Sequence, residues 1–157
     1  MENKDILQKR IEAIRKHRKD IDKTEHEKAM DLEKRKKEAL LKIKALAPRL
    51  KELFILANTL IENRIPLGTV RDHYGVQIEQ FVTESIEHEF GFFVGKNGVY
   101  AIGYAGGGCC GEHFAITPEG DLGKGNLDEP SKLAKAETFC DVFETFEKDF
   151  LAYVDSL

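Results

Sequence analysis

The sequence predicts an α+β fold: a long N-terminal coiled-coil helix, then an antiparallel β-meander packed by a second helix and a C-terminal amphipathic helix. Three observations carry this. Residues 3–46 contain neither Gly nor Pro and are rich in Lys, Glu, Arg, Ala, Leu and Ile, mostly good helix formers. Residues 76–117 alternate apolar and polar side chains between turn signals. From Ser131 onward, large apolar residues recur at steps of three and four.

The N-terminal helix is supported by acid-to-base pairs four residues apart: Asp5–Lys9, Glu12–Lys16, Asp31–Arg35, Glu33–Lys37 and Glu38–Lys42. Its apolar stripe comes in two pieces whose registers do not align. Leu7, Ile11, Ile14 and Ile21 form the first. Leu32, Ala39, Ile43 and Leu46 lead into the second, which continues to Leu60. Between them "DKTEHEK" (22–28) is polar, and Thr24 with Glu27 has the spacing of a capping box. No Gly, Pro or Asn marks a turn there, so one helix is expected across it. An apolar seam on so charged a helix reads as a coiled coil, with Leu7, Ile11, Ile14, Ile21, Leu32, Ile43 and Leu46 as its oligomerisation residues.

Pro48 cannot donate to the Lys44 carbonyl, so the helix is expected to kink or restart there. This places a boundary near residue 47, between an extended helical arm (1–47) and a globular body (48–157). A separate apolar helix then covers 48–64, and "IPLG" (65–68) stops it.

Strands are expected over 76–84, 86–95, 99–105 and 112–117, with "KNG" (96–98) and "PEGD" (118–121) as turns. Ser131 is the expected N-cap of the last helix. Ala136, Phe139, Phe143, Phe146, Phe150 and Tyr153 form its apolar face, flanked by Leu133, Cys140 and Val154. Such an aromatic stripe is read as core covering one sheet face.

The charge is unevenly spread. The net value of −4 divides into +5 over residues 1–45 and −9 over the rest. The basic arm suggests nucleic acid as an alternative ligand, through Arg15, Lys16, Arg18 and Lys19 and through Lys34, Arg35, Lys36 and Lys37. The acidic body offers Glu84, Glu87, Glu89, Glu112 and Asp121 as a surface for a protein partner. No apolar run is long enough to span a bilayer, and "MENKDILQKR" does not resemble a signal peptide. The chain therefore reads as cytoplasmic, with its three cysteines reduced.

The one stretch that invites a chemical reading is "YAGGGCCGEHF" (104–114). Gly106, Gly107 and Gly108 could cradle an anion, but a strand rather than a helix follows and no Lys-Ser/Thr pair is present. Cys109, Cys110 and His113, with Cys140, His73 and His88 elsewhere, lack the paired spacing of structural zinc. A thiol dyad with His113 or His88, oriented by Glu112, has no helix N-terminus to lower the thiol pKa. The glycines, Gly103 and Gly111 included, fit better a wide loop that leaves and rejoins a sheet. No catalytic residue, metal or cofactor is therefore expected. A small-ligand or nucleotide site, or an enzyme, at 103–113 remains an alternative reading.

Three segments, "IKALAPRLKELFILANTLIENRI" (43–65), "FVTESIEHEFGFFV" (81–94) and "GYAGGGCCGEHFAI" (103–116), resemble small uncharacterised prophage-encoded proteins of Gram-positive bacteria. The resemblance implies a phage-related setting inside a bacterial host cell and brings no catalytic residues with it. Phage proteins of this size and charge often bind host machinery, including CRISPR nucleases and other defence systems. The leading expectation is a non-enzymatic interaction protein, homodimeric or higher, with a host protein as partner and anti-CRISPR-like inhibition as one form of action.

Overall fold

The structure, a computed structural model, describes residues 2–71, 74–75, 77–83, 90–105 and 112–157. Its elements are α1 (Glu2–Glu62), β1 (Thr69–Arg71), β2 (Gln77–Val82), β3 (Phe90–Gly95), β4 (Gly98–Ala105), β5 (Glu112–Ile116) and α2 (Pro130–Asp155). The fold is of the α+β class. By internal packing the chain divides into residues 1–37 and a compact unit, Glu38–Leu157.

The first helix runs unbroken through 22–28, as expected, and also through Pro48, where a restart was expected. Thr24 does not cap a new helix; its hydroxyl donates to the Asp20 carbonyl at 2.9 Å, one turn back within the same helix. Nor does the chain restart at Pro48, which lies inside α1. A proline there costs roughly 3 kcal/mol relative to alanine. Pro48 and Lys44 are both exposed, so water can reach the side of the helix where a backbone donor is missing. The next two turns bury Leu50, Leu53, Phe54 and Ala57 almost completely. At about 1.5–3 kcal/mol for each large side chain, that burial outweighs the proline. The compact unit also begins upstream of the boundary expected at residue 47, because Ala39 and Ile43 are already buried in it.

α1 stops in a Schellman motif. The Ile65 N–H donates to the Leu60 carbonyl at 2.9 Å, and the Arg64 N–H to the Ile61 carbonyl at 3.0 Å. Arg64 takes the left-handed position with φ of 59°, where glycine is usual.

The strands lie in sequence order, β1-β2-β3-β4-β5, every pair antiparallel. β1 is a three-residue edge strand that the sequence pattern does not announce. At the β3–β4 hairpin Gly98 carries the positive φ, 114°, while Asn97 does not. The turn therefore uses one left-handed residue, not the Asn-Gly pair expected. After β5 the chain folds back on that strand's edge. Leu122 bridges Ile116, and the Asn126 side-chain amide donates to the Ala115 carbonyl at 2.9 Å.

One face of the sheet is the core. Register aligns Phe81 with Phe92, Phe92 with Ala101, Ala101 with Ile116, and Phe90 with Gly103 and Phe114. Both helices cover this face. Phe54 of α1 meets Phe92 at a ring-centroid distance of 4.9 Å. From α2, Phe146 and Phe150 meet Phe92 at 5.0 and 5.2 Å, and Phe139 meets Phe114 at 5.7 Å. The α2 stripe is core, as its spacing predicts.

α2 begins earlier than expected. Its N-cap is Glu129, without a side-chain cap bond, and Pro130 occupies the first turn. Proline has no N–H to satisfy and its fixed φ suits that position, so Ser131 is displaced into the helix.

Candidate interaction surfaces

The residues expected to drive assembly divide into two groups. Ile43 is 2% exposed and belongs to the core cluster of the compact unit, and Leu46 packs against that cluster. Both are consumed by folding, because α1 from Glu38 onward turns its apolar side to the sheet. They are removed from the oligomerisation set. Leu7, Ile14 and Ile21 are 58%, 70% and 43% exposed, and Ile11 and Leu32 are half-buried.

At 100° per residue, Leu7, Ile11, Ile14, Ile21 and Leu32 fall within a sector of about 80°. The expected second piece of the stripe thus starts in line with the first, since Leu32 lies on the same side as Ile11. What interrupts the stripe is chemistry, not phase: Arg18, Glu25 and Lys28 occupy the intervening places.

The two basic clusters of α1 are placed differently around the helix. Lys34, Arg35, Lys36 and Lys37 are consecutive, so steps of 100° carry them around the whole cylinder. Arg15, Lys16, Arg18 and Lys19 instead fall within about 160°, on one side of the helix. Lys36 contacts Glu33 at 3.3 Å, and Asp20, Asp22 and Glu38 interleave. The cluster from Arg15 to Lys19 has the one-sided placement that nucleic-acid binders use, and that from Lys34 to Lys37 does not.

Gly106, Gly107, Gly108, Cys109, Cys110 and Gly111 lie outside the described residues, as do His73, Glu84, Glu87, His88 and Glu89. The flanks of the glycine stretch are described. Ala105 pairs with Glu112 and Tyr104 with His113, so residues 106–111 join two neighbouring antiparallel strands. A strand follows, not a helix, so the helix N-terminus of a phosphate cradle is missing. His113 is exposed on β5. Asp121 of the acidic set is exposed in a tight turn, where its N–H donates to the Thr117 hydroxyl at 3.2 Å.

Among the described residues no cluster of three or more His, Cys, Asp and Glu could hold a metal ion. A hollow of about 320 Å³ opens beside the β3–β4 hairpin, bordered by Lys96, Asn97, Tyr100 and Pro118. It lies at the opposite end of β4 from the glycine stretch. Cys140, on α2, has its thiol pushed up to about 11. Burial is the main cause; Asp141 and Glu137 add to it and Lys42 opposes it. Such a thiol is not a nucleophile at neutral pH.

Two contacts that the sequence does not signal hold the compact unit together. The Arg49 guanidinium donates through Nε to Glu147 Oε2 at 3.1 Å and through Nη2 to Oε1, and it lies 5.1 Å from the Phe143 ring centroid. Hydrogen bonding to Glu147 raises the Arg49 pKa. The Tyr153 hydroxyl donates to the Pro66 carbonyl.

No helix among the described residues is long and apolar enough to cross a membrane. No protein-family model matches the chain, and no curated protein or solved structure matches it significantly.

Proposed function

We propose that this is a non-enzymatic interaction protein that self-associates through its N-terminal helix and presents its α+β unit to a protein partner. The observation that carries the reading is the stripe Leu7, Ile11, Ile14 and Ile21, of which three members are more than two-fifths exposed. A helix this long and charged gains little from propensity alone and is stabilised by covering its apolar side. The resemblance to prophage-encoded proteins favours a bacterial host protein as the partner, inhibition of a defence nuclease included.

Sedimentation equilibrium of the full chain tests the assembly step. Reversible association is expected, and Ile14→Glu should weaken it at least tenfold while leaving the compact unit folded. A wild-type chain that stays monomeric into the millimolar range would overturn the reading.

A further inference from the structure

We propose that the occupant of this stripe is the same helix of a second copy, running antiparallel and centred between Lys19 and Asp20. The inference rests on the self-association reading above and adds orientation and register to it. Counting Arg18 and Glu25 within the sector and Lys28 about 20° beyond its edge, the seam runs from Leu7 to Leu32 in alternating steps of four and three. That step order is the same read from either end. An antiparallel copy therefore places a seam residue opposite every seam residue. Leu7 faces Leu32, Ile11 faces Lys28, Ile14 faces Glu25, and Arg18 faces Ile21, each pair twice by two-fold symmetry.

Charge then chooses the orientation. In a parallel pair in register, Arg18 would meet Arg18, Glu25 would meet Glu25, and Lys28 would meet Lys28. On the flank, Arg10 would face Arg15. In the antiparallel pair no like charges meet across the seam. The long stems of Arg18 and Lys28 lie along Ile21 and Ile11 of the second copy with their heads in water. The flanking residues become complementary: Arg15 faces Asp22 and Arg10 faces Asp31, each twice. All four are exposed and so are placed to reach a neighbour. Sliding the second copy by one heptad either loses these pairs or sets Asp22 against Asp22. The polar seam residues weaken the association and specify its register.

The test is sedimentation equilibrium at low salt on the full chain, with helix content followed by circular dichroism. Four proteins are compared: wild type, Arg15→Glu, Asp22→Arg and the double variant. Each single change turns two attractive pairs into two repulsive ones and should weaken the dimer about tenfold. The double variant should return to within about threefold of wild type. Arg10→Glu with Asp31→Arg repeats the cycle independently, should either first variant lose helix. A dimer that Arg15→Glu tightens overturns the proposal, since that is the parallel result, in which the introduced carboxylate faces Arg10. A dimer indifferent to all four changes also overturns it. A wild type without any dimer overturns the self-association reading itself.

Discussion

At the scale of single residues, Gly103 shows how much of this core depends on a side chain that is not there. A Cβ at Gly103 would lie 2.4 Å from the Phe90 ring and 2.5 Å from the Phe114 ring. The two strands flanking β4 lay their rings over the glycine, 6.3 Å apart by centroid. Gly103→Val should therefore cost about 3 kcal/mol or more in urea unfolding, the penalty of overpacking a core that cannot yield. Arg64 is the reverse case, a side chain where none is wanted. Arg64→Gly relieves the left-handed strain and should stabilise by about 0.5–1 kcal/mol, read as a higher urea midpoint at unchanged slope. Cys140 predicts a pH effect. Its folded pKa of about 11 lies above its unfolded value, so its contribution is complete below the unfolded value. Above that pH the unfolded chain sheds a proton that the folded chain keeps, and the contribution is lost as pH climbs towards 11. Wild type should lose stability more steeply than Cys140→Ala across that interval. None of these roles is visible in sequence. Gly103 reads there as part of a loop-forming run, and only the register of β3, β4 and β5 shows the rings closing over it.

At the scale of elements, α2 was legible because its core face is written in one residue type at helical spacing. Phe139, Phe143, Phe146 and Phe150 are all 1% exposed or less. Phe146 touches Phe81, Phe92, Phe139, Phe143 and Phe150, so Phe146→Ala should cost about 3–5 kcal/mol. The strands were legible through alternation, to within two residues at the described ends; the expected start of the second strand, 86–89, lies outside the described residues. β1 was not legible, because three residues are too few to show a period. α1 does not restart at Pro48 because the tertiary burial that follows it outweighs the local chemistry. Pro48→Ala should raise stability by about 1–3 kcal/mol, since it restores a backbone bond at an exposed site. A fall in stability would mean that the proline shapes the helix path and the core depends on it.

At the scale of the whole molecule, the division of labour along α1 explains why the assembly residues were only partly legible. One apolar period runs along the helix, but sequence alone cannot say where a stripe stops serving its own fold and starts serving another chain. Burial draws that line. Ile43 at 2% and Ala39 at 1% belong to the fold, while Ile14 at 70% does not. Truncating residues 1–37 should therefore remove self-association and leave the compact unit with its stability nearly unchanged, as urea unfolding at several concentrations would show. The glycine-rich stretch kept its ambiguity for a different reason. Its meaning depends on what approaches it, and spacing within the chain carries no record of that.

The order in which this fold is made has a consequence for its birth. Sheet and α1 are translated before α2, yet α2 supplies much of the aromatic lid over Phe90, Phe92 and Phe114. A nascent chain halted upstream of Phe139 displays a bare phenylalanine surface on a half-built sheet, the kind of surface that chaperones bind and that otherwise clumps. That surface closes only once α2, Pro130–Asp155, is in place.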